Sequence, residues 1–307
     1  MKKSKFLVKK IGLVIKHHQP EAASFAAQIA EFLLSNGIQI YFASESELLG
    51  KDLARTLGFG KKKRSIHIIP KPELVDHCDL IVVLGGDGTF LSIARLMKNR
   101  SVPVLGINMG QLGFLTEIKR EEAIESLRSI LNGTPPTINE RALLEVTLQR
   151  KSKVIFQGPV VNDAVISKGA IARIIEIQIW VNQKWVHNVR GDGIIVSTTT
   201  GSTAYALAAG GPIVEPSVPA LVMTPICPHS LTLRPLVIPD SSEVTLCLSH
   251  RPGHVLLTLD GQDAVDMKED DIVKIKKFEK HSLQLISSPT RDYFSLLREK
   301  LKFGARD

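Results

Sequence analysis

The sequence predicts an α/β domain with a mostly parallel sheet, followed by a β-rich, sandwich-like domain, and three observations carry that prediction. Apolar, β-rich runs alternate with amphipathic stretches over residues 1–140. After Thr134-Pro135-Pro136 the texture changes to many short alternating segments with turn residues between them. The length, 307 residues, suits two domains at roughly 100–200 residues each.

The elements follow in order. Residues 11–15 form an apolar run of the kind a strand buried on both faces shows. Pro20 then opens a helical stretch that Gly37 closes. Residues 38–43, 80–84 and 104–107 read as further strands, with helices over 89–97 and 121–131, the second stopped by Asn132-Gly133. Strands are predicted beyond the break at 144–148, 160–167, 174–181, 185–189, 194–197, 244–248, 255–259 and 272–275. The segment YFSLLREKL has apolar residues at helical spacing and is expected to pack back on the first domain. The expected domains are therefore 1–140 completed by a helix over 286–307, and a β-rich domain over 141–285.

Composition narrows the function. With 44% apolar and 23% charged residues the chain is globular rather than disordered or fibrous. Lys plus Arg exceed Asp plus Glu by 39 − 31 = +8, which points to anionic partners. Aromatic residues are 5% of the chain, few for a surface that stacks nucleic-acid bases. Cys78, Cys227 and Cys247 are widely spaced, with no CxxC pair, as expected in a reducing cytoplasm. Lysines 9, 10 and 16 interrupt the apolar part of the N-terminus, and the longest apolar runs fall short of the roughly 20 residues that span a bilayer. Neither an export signal nor a membrane span is expected. The KKKR cluster at 61–64 reads as a solvated loop, and His17, His18 and His229 as structural or surface residues.

The most informative stretch is DLIVVLGGDGTFLSIARLM. A continuous apolar strand runs into Gly85, Gly86, Asp87, Gly88 and Thr89 and then into a helix. Free backbone N–H groups and the positive helix end attract phosphate there, and residues lacking a Cβ allow close approach. The pattern is neither GxGxxG nor a Walker loop with its lysine. Asp87 is an acid inside an anion site, which suits a group that accepts a proton from an attacking hydroxyl or positions a metal. A plain Asp-Gly turn between strand and helix is the other reading of the same residues. In the β-rich half, Ser197, Thr198, Thr199, Thr200, Ser202 and Thr203 form a row of hydroxyls around Gly201. Such a row suits ribose and phosphate oxygens, or simply caps the helix that follows.

Taken together the motifs resemble the NAD kinase family. The resemblance rests on GGDGT at 85–89, GINxGxLGFLT at 106–116, the pair Asn162-Asp163, DGxxxSTxTGSTAY at 192–205, GGPI at 210–213 and TPICPHSLTLRPLVI at 224–238. It implies an NAD kinase/diacylglycerol kinase-like architecture with the site in the cleft between the domains. It also implies transfer of the γ-phosphoryl group of ATP to the 2'-hydroxyl of the adenosine ribose of NAD, giving NADP. A divalent metal, Mg²⁺, would be bound mainly through the ATP phosphates, with no metal ligands of the protein's own. By the same resemblance Asp87 is the general base and Gly88 lies beside the ribose. Asn162 suits an adenine edge and Asp163 a ribose diol. Asp192, Thr200 and Thr203, Ala204, Tyr205, Ala206, Leu207 and Ala208 line the dinucleotide site, Phe114 walls the adenine pocket, Arg173 and Arg190 face phosphates, and Gln262 is a late substrate contact. A cytoplasmic homodimer or homotetramer without nucleic-acid or membrane partners is expected. The chain departs from the family at Thr199, usually Pro, and at Asp163, often Glu. A lipid kinase sharing the GGDGT loop and a non-catalytic nucleotide-binding regulator are the rival readings. The Asn162-Asp163 pair and GSTAY argue against the first, and the acid at position 87 against the second.

Overall fold

A computed structural model describes residues 6–16, 20–43, 65–97, 99–169, 174–250 and 253–302. The chain divides into two units, Met1–Glu140 with Leu283–Asp307, and Arg141–Ser282.

The first unit is built on β1 (Lys10–Ile15), β2 (Gln39–Ala43), β3 (Ile66–Ile69), β4 (Leu80–Gly85), β5 (Val104–Asn108), β6 (Ile118–Lys119) and β7 (Ile138–Arg141). A strand from the far end of the chain, β20 (Leu283–Ile286), inserts between β5 and β7. The order is β3-β2-β1-β4-β5-β20-β7, with β6 alongside β5, and the pairings from β3 through β20 are parallel. All six residues of β4 are buried, which is why its sequence is an unbroken apolar run. Helices α1 (Pro20–Ser35), α2 (Leu74–His77), α3 (Asp87–Ala94) and α4 (Ala123–Leu131) connect the strands. Phe25, Ile29 and Leu33 of α1 and Leu127 of α4 bury themselves with Ile11, Leu13, Leu80 and Val82 in one core. Each such side chain contributes about 1.5–3 kcal/mol through its removal from water.

Strand order reverses between β1 and β4, since β2 lies on one side of β1 and β4 on the other. The GGDGT loop leaves the carboxyl end of β4 at that reversal, where Lys16 N–H donates to the Leu84 carbonyl at 3.0 Å. Open α/β sheets bind ligands at such points, because the diverging connections leave a crevice beyond the strand ends.

The second unit holds β8 (Leu144–Arg150), β9 (Lys153–Val160), β10 (Asp163–Lys168), β11 (Ile175–Val181), β12 (Lys184–Gly191), β13 (Gly193–Thr198), β14 (Ala220–Ile226), β15 (Leu236–Pro239), β16 (Val244–His250), β17 (Val255–Leu259), β18 (Asp263–Met267) and β19 (Ile272–Lys277). They form two antiparallel six-stranded sheets, β15-β14-β13-β10-β17-β18 and β12-β11-β16-β19-β8-β9. Inward residues of both sheets, among them Leu144, Val146, Ile166, Val196, Leu246 and Leu257, share one core. That is a sandwich, and its strands read as alternating in and out. A short helix, α5 (Tyr205–Ala208), follows β13.

The sequence expectation omits strands β3, β6, β7, β15 and β18 and most of β9, and three further details differ. The terminal helix, α6 (Tyr293–Leu301), is shorter than 286–307, because Ile286 belongs to strand β20 and Asp292 caps the helix by accepting from Ser295 N–H at 2.7 Å. The run 160–167 is not one strand: β9 ends at Val160 and β10 starts at Asp163, so Asn162 sits on a loop between them. Strand β14 carries Pro225 inside it and joins β13 to β15, a placement its proline obscured. The KKKR cluster at 61–64 and His17-His18 lie outside the described residues. Among the described residues no helix is long and apolar enough to cross a membrane.

Candidate active site

The Asp87 carboxylate stands at the first turn of α3, directly after Gly86 in extended backbone. Its Oδ1 accepts from Leu115 N–H at 3.0 Å, Thr116 N–H at 3.1 Å and the Thr116 hydroxyl at 3.0 Å. Its Oδ2 accepts from Phe114 N–H at 2.8 Å and meets Lys300 Nζ at 3.4 Å. The loop that presents these donors is shaped by Asn108, a buried residue at the end of β5. Asn108 donates to the Thr116 hydroxyl at 3.1 Å and accepts from Gly110 N–H at 2.7 Å. Gly113 closes the contact: a Cβ there would lie 2.0 Å from Asp87 Oδ1. The GINMGQLGFLT segment thus serves GGDGT by holding its acid. The Phe114 ring, 9% exposed, lies 6.3 Å from the Tyr293 ring and 4.7 Å below Lys300 Nζ. Both of these ring contacts come from residues of helix α6.

In the second unit a parallel arrangement forms around Asp260, a non-glycine residue at φ 51°. Its carboxylate accepts from Val161 N–H at 2.9 Å, Asn162 N–H at 2.7 Å and Asp163 N–H at 3.1 Å. Asp260 N–H in turn donates to the Asp163 carbonyl at 3.0 Å. The Asn162-Asp163 pair is held as a rigid corner between β9 and β10. Asp163 is 4% exposed, and burial first, then the Asp260 carboxylate, pushes its pKa up to about 7.

The hydroxyl row is turned inward. Thr198 Oγ1 donates to the Val161 carbonyl at 2.6 Å and accepts from Gly201 N–H at 3.0 Å. Ser202, Thr203 and Thr199 hydroxyls donate to the carbonyls of Thr199, Thr200 and Pro216. Most of these hydroxyls therefore fold the loop, while the hydroxyls of Ser197 and Thr200 are buried without a hydrogen-bond partner. A Cβ on Gly201 would lie 2.1 Å from the Asn162 carbonyl oxygen, so glycine lets the loop lie flat against the Asn162-Asp163 corner. Tyr205 is 47% exposed at the start of α5, with Ala204 and Leu207 half-buried, Ala206 buried and Ala208 exposed. Asp192 pairs with Lys168 at 2.6 Å, Arg190 reaches Glu176 at 3.7 Å, and Gln262 is exposed. Arg173 lies outside the described residues.

Sequence reasoning assigned no role to Asn108, Thr116, Asp260 or Lys300. The first two sat inside a recognised motif, and the last two act on residues far away in sequence. No group of three or more His, Cys, Asp or Glu side chains among the described residues is arranged to hold a metal ion. Both Asp87 oxygens already accept from the protein. The described residues thus do not fit a metal cage of their own. Cys78 is buried and its thiol is pushed up to about 12 by burial, which suits a packing residue rather than a nucleophile.

A glycine loop at a strand-order reversal, a helix N-terminus and a fixed carboxylate define a protein of the phosphate-handling α/β class. The ATP-NAD kinase N-terminal domain family matches residues 11–134, and the ATP-NAD kinase C-terminal domain family matches residues 161–288. An NAD kinase of Geobacter metallireducens is 41% identical over 299 residues, covering 97% of this chain and 100% of that protein. One from Neisseria meningitidis is 40% identical over 298 residues, 96% of each. The fold is similar to that of yeast NADH kinase complexed with NADH, with a TM-score of 0.87 at 24% identity over 98% of this chain and 89% of that one. It is also similar to an NAD kinase from Archaeoglobus fulgidus in complex with ATP, with a TM-score of 0.69 at 24% identity over 94% of this chain and 99% of that one. The chain belongs to the ATP-NAD kinase family and is an enzyme of that kind.

Proposed function

We propose that the chain transfers the γ-phosphoryl group of ATP to the 2'-hydroxyl of the adenosine ribose of NAD, with Asp87 as general base. The observation that supports this is the asymmetry of the Asp87 carboxylate. Oδ1 has three protein donors, whereas Oδ2 has one N–H bond and a long lysine contact. A carboxylate oxygen accepts about two hydrogen bonds comfortably, so Oδ2 is the oxygen that takes a ribose hydroxyl. The hydroxyl proton passes to Oδ2 as the new O–P bond forms, and the bond from the γ-phosphorus to the bridging oxygen breaks with its electron pair leaving on ADP. A divalent metal arriving on ATP would neutralise phosphate charge.

In this reading the α3 N-terminus and Gly85, Gly86, Gly88 and Thr89 receive phosphate oxygens. The amide of Asn162 takes the adenine edge, Asp163 a ribose diol, and Tyr205 and the neighbouring 203–208 segment the dinucleotide, with Asp192, Arg190, Arg173, Phe114, Thr200 and Gln262 as further contacts. The three free thiols suit a reducing compartment such as the cytoplasm. Exposed Trp185 and Val186 on edge strand β12 and Val237 on edge strand β15 offer surface for a homo-oligomer.

The decisive experiment gives purified protein ATP, Mg²⁺ and NAD and measures NADP. Absence of NADP under conditions where the protein is folded would refute the reading. Running NADH beside NAD, and polyphosphate beside ATP, fixes acceptor and donor range in the same assay.

A further inference from the structure

Helix α6 is held at several points independent of its lysine. Leu296 and Leu297 are buried, Asp292 and Ser295 cap the first turn, and Glu299 pairs with Lys119 at 2.7 Å. Arg291, just before the helix, forks onto Glu122 at 2.5 and 2.8 Å and onto the Glu117 carbonyl at 3.0 Å. These contacts fix where residue 300 points. Lys300 Nζ reaches Asp87 Oδ2 at 3.4 Å while lying over the Phe114 ring, and its side chain is one-third exposed.

The Asp87 carboxylate has no need of this lysine for orientation, since three N–H groups and a hydroxyl already fix its plane. At 3.4 Å the contact is long for a full hydrogen bond, so the ammonium keeps donors to give elsewhere. The chemistry proposed above brings a second anion, the phosphoryl group, to within contact distance of the hydroxyl that Asp87 binds. Two anions at one strand end repel, and backbone dipoles alone carry only partial charge. A full positive charge at Oδ2 meets that need.

Resting on the kinase reading, we propose that Lys300 is a catalytic residue whose ammonium donates to a non-bridging oxygen of the transferring phosphoryl group, beside Asp87. The lysine neither gains nor loses a proton in the step. The ribose proton goes to Asp87, the O–P bond forms, and the bond from the γ-phosphorus to departing ADP breaks.

The test compares Lys300→Met, Lys300→Arg and Lys300→Ala with the wild-type chain in NADP formation. Lys300→Met is expected to lower kcat by about 100- to 1,000-fold, the size seen for loss of one charge-stabilising donor. Its KM for NAD should stay within about threefold, because the acceptor is held elsewhere. Lys300→Arg should keep most of the lost rate, and added ethylammonium should restore part of it to Lys300→Ala in a saturable way. Thermal midpoints should match wild type, given the other α6 anchors. A Lys300→Met kcat within twofold of wild type would overturn the proposal. So would equal losses in all three variants with a lowered midpoint and no ethylammonium effect, which would mark a helix tether. A wild-type chain that makes no NADP would instead refute the kinase reading, and this inference with it.

Discussion

Asp87 in one unit and Asp260 in the other use the same device and reach opposite electrostatic ends. Each carboxylate accepts from three consecutive backbone N–H groups, 114–116 in the first case and 161–163 in the second. Asp87 is partly open to solvent and has a lysine beside it. Asp260 is 6% exposed and has a second acid, Asp163, as its neighbour. A gripped carboxylate is therefore neither a structural nor a catalytic feature by itself. What stands next to it differs, an ammonium beside Asp87 and a second carboxyl beside Asp260.

Four substitutions separate these roles. Asp260→Ala is expected to be the most damaging, since it leaves three N–H groups, those of Val161 and Asp163 buried and that of Asn162 half-buried, without an acceptor. A loss of about 3–5 kcal/mol in urea unfolding is expected. A loss under 1 kcal/mol would show that the corner does not depend on its acid. Asp87→Asn keeps an oxygen to accept from the 114–116 loop, so the fold should survive. Turnover should fall by about 10²-fold, equivalent to about 2.7 kcal/mol. Full activity in that variant would remove Asp87 as the base and erase the contrast.

Asp163→Asn probes the acid beside Asp260. The folded state holds the Asp163 proton up to about pH 7, whereas the unfolded chain releases it near the usual aspartate value. Stability therefore falls as pH rises from about 4 to 7, because folding takes up a proton across that window. The amide variant should gain about 2 kcal/mol at pH 8, where about 4 kcal/mol of proton linkage outweighs the cost of burying the amide, and should lose about 2 kcal/mol near pH 4, where that cost stands alone. A pH-independent difference in thermal midpoint would contradict the assignment. The smallest effect belongs to Glu122→Gln, on the Arg291 fork. Its hydrogen bonds to Arg291 hold the Glu122 carboxyl below its usual range. That stabilisation is present above the unfolded glutamate pKa and is lost as pH falls through the lower folded value. About 1 kcal/mol should separate variant from wild type at pH 7, shrinking below pH 4 in chemical unfolding.

The parallel strands and the GGDGT loop were legible because one local signal carries each: an unbroken apolar run, and glycines at its end. The sandwich was legible from alternation in segments such as 144–148 and 244–248. Strand β14 was not, because Pro225 argues against a strand wherever it stands. Strand β20 was hidden by its four-residue length and by lying ahead of a clear helical pattern, which drew the helix boundary back to residue 286. The two carboxylate grips were illegible for a deeper reason. Their donors are backbone N–H groups, which every residue but proline carries, so nothing in the identity of residues 114–116 or 161–163 advertises them. Lys300 was hidden by separation alone, 213 residues from Asp87.

Strand β20 and helix α6 also set an order of events during synthesis. The first unit is split in sequence, with the whole of residues 141–282 between its two parts. On a ribosome, the sandwich is complete in sequence before the strand that joins β5 to β7 exists. Until then the edge of β5 that β20 will cover stays bare, and Asp87 has no lysine. The enzyme emerges with its second half ready to fold and its first half waiting, so a chain halted before residue 283 carries an open parallel edge of the kind that chaperones exist to shield.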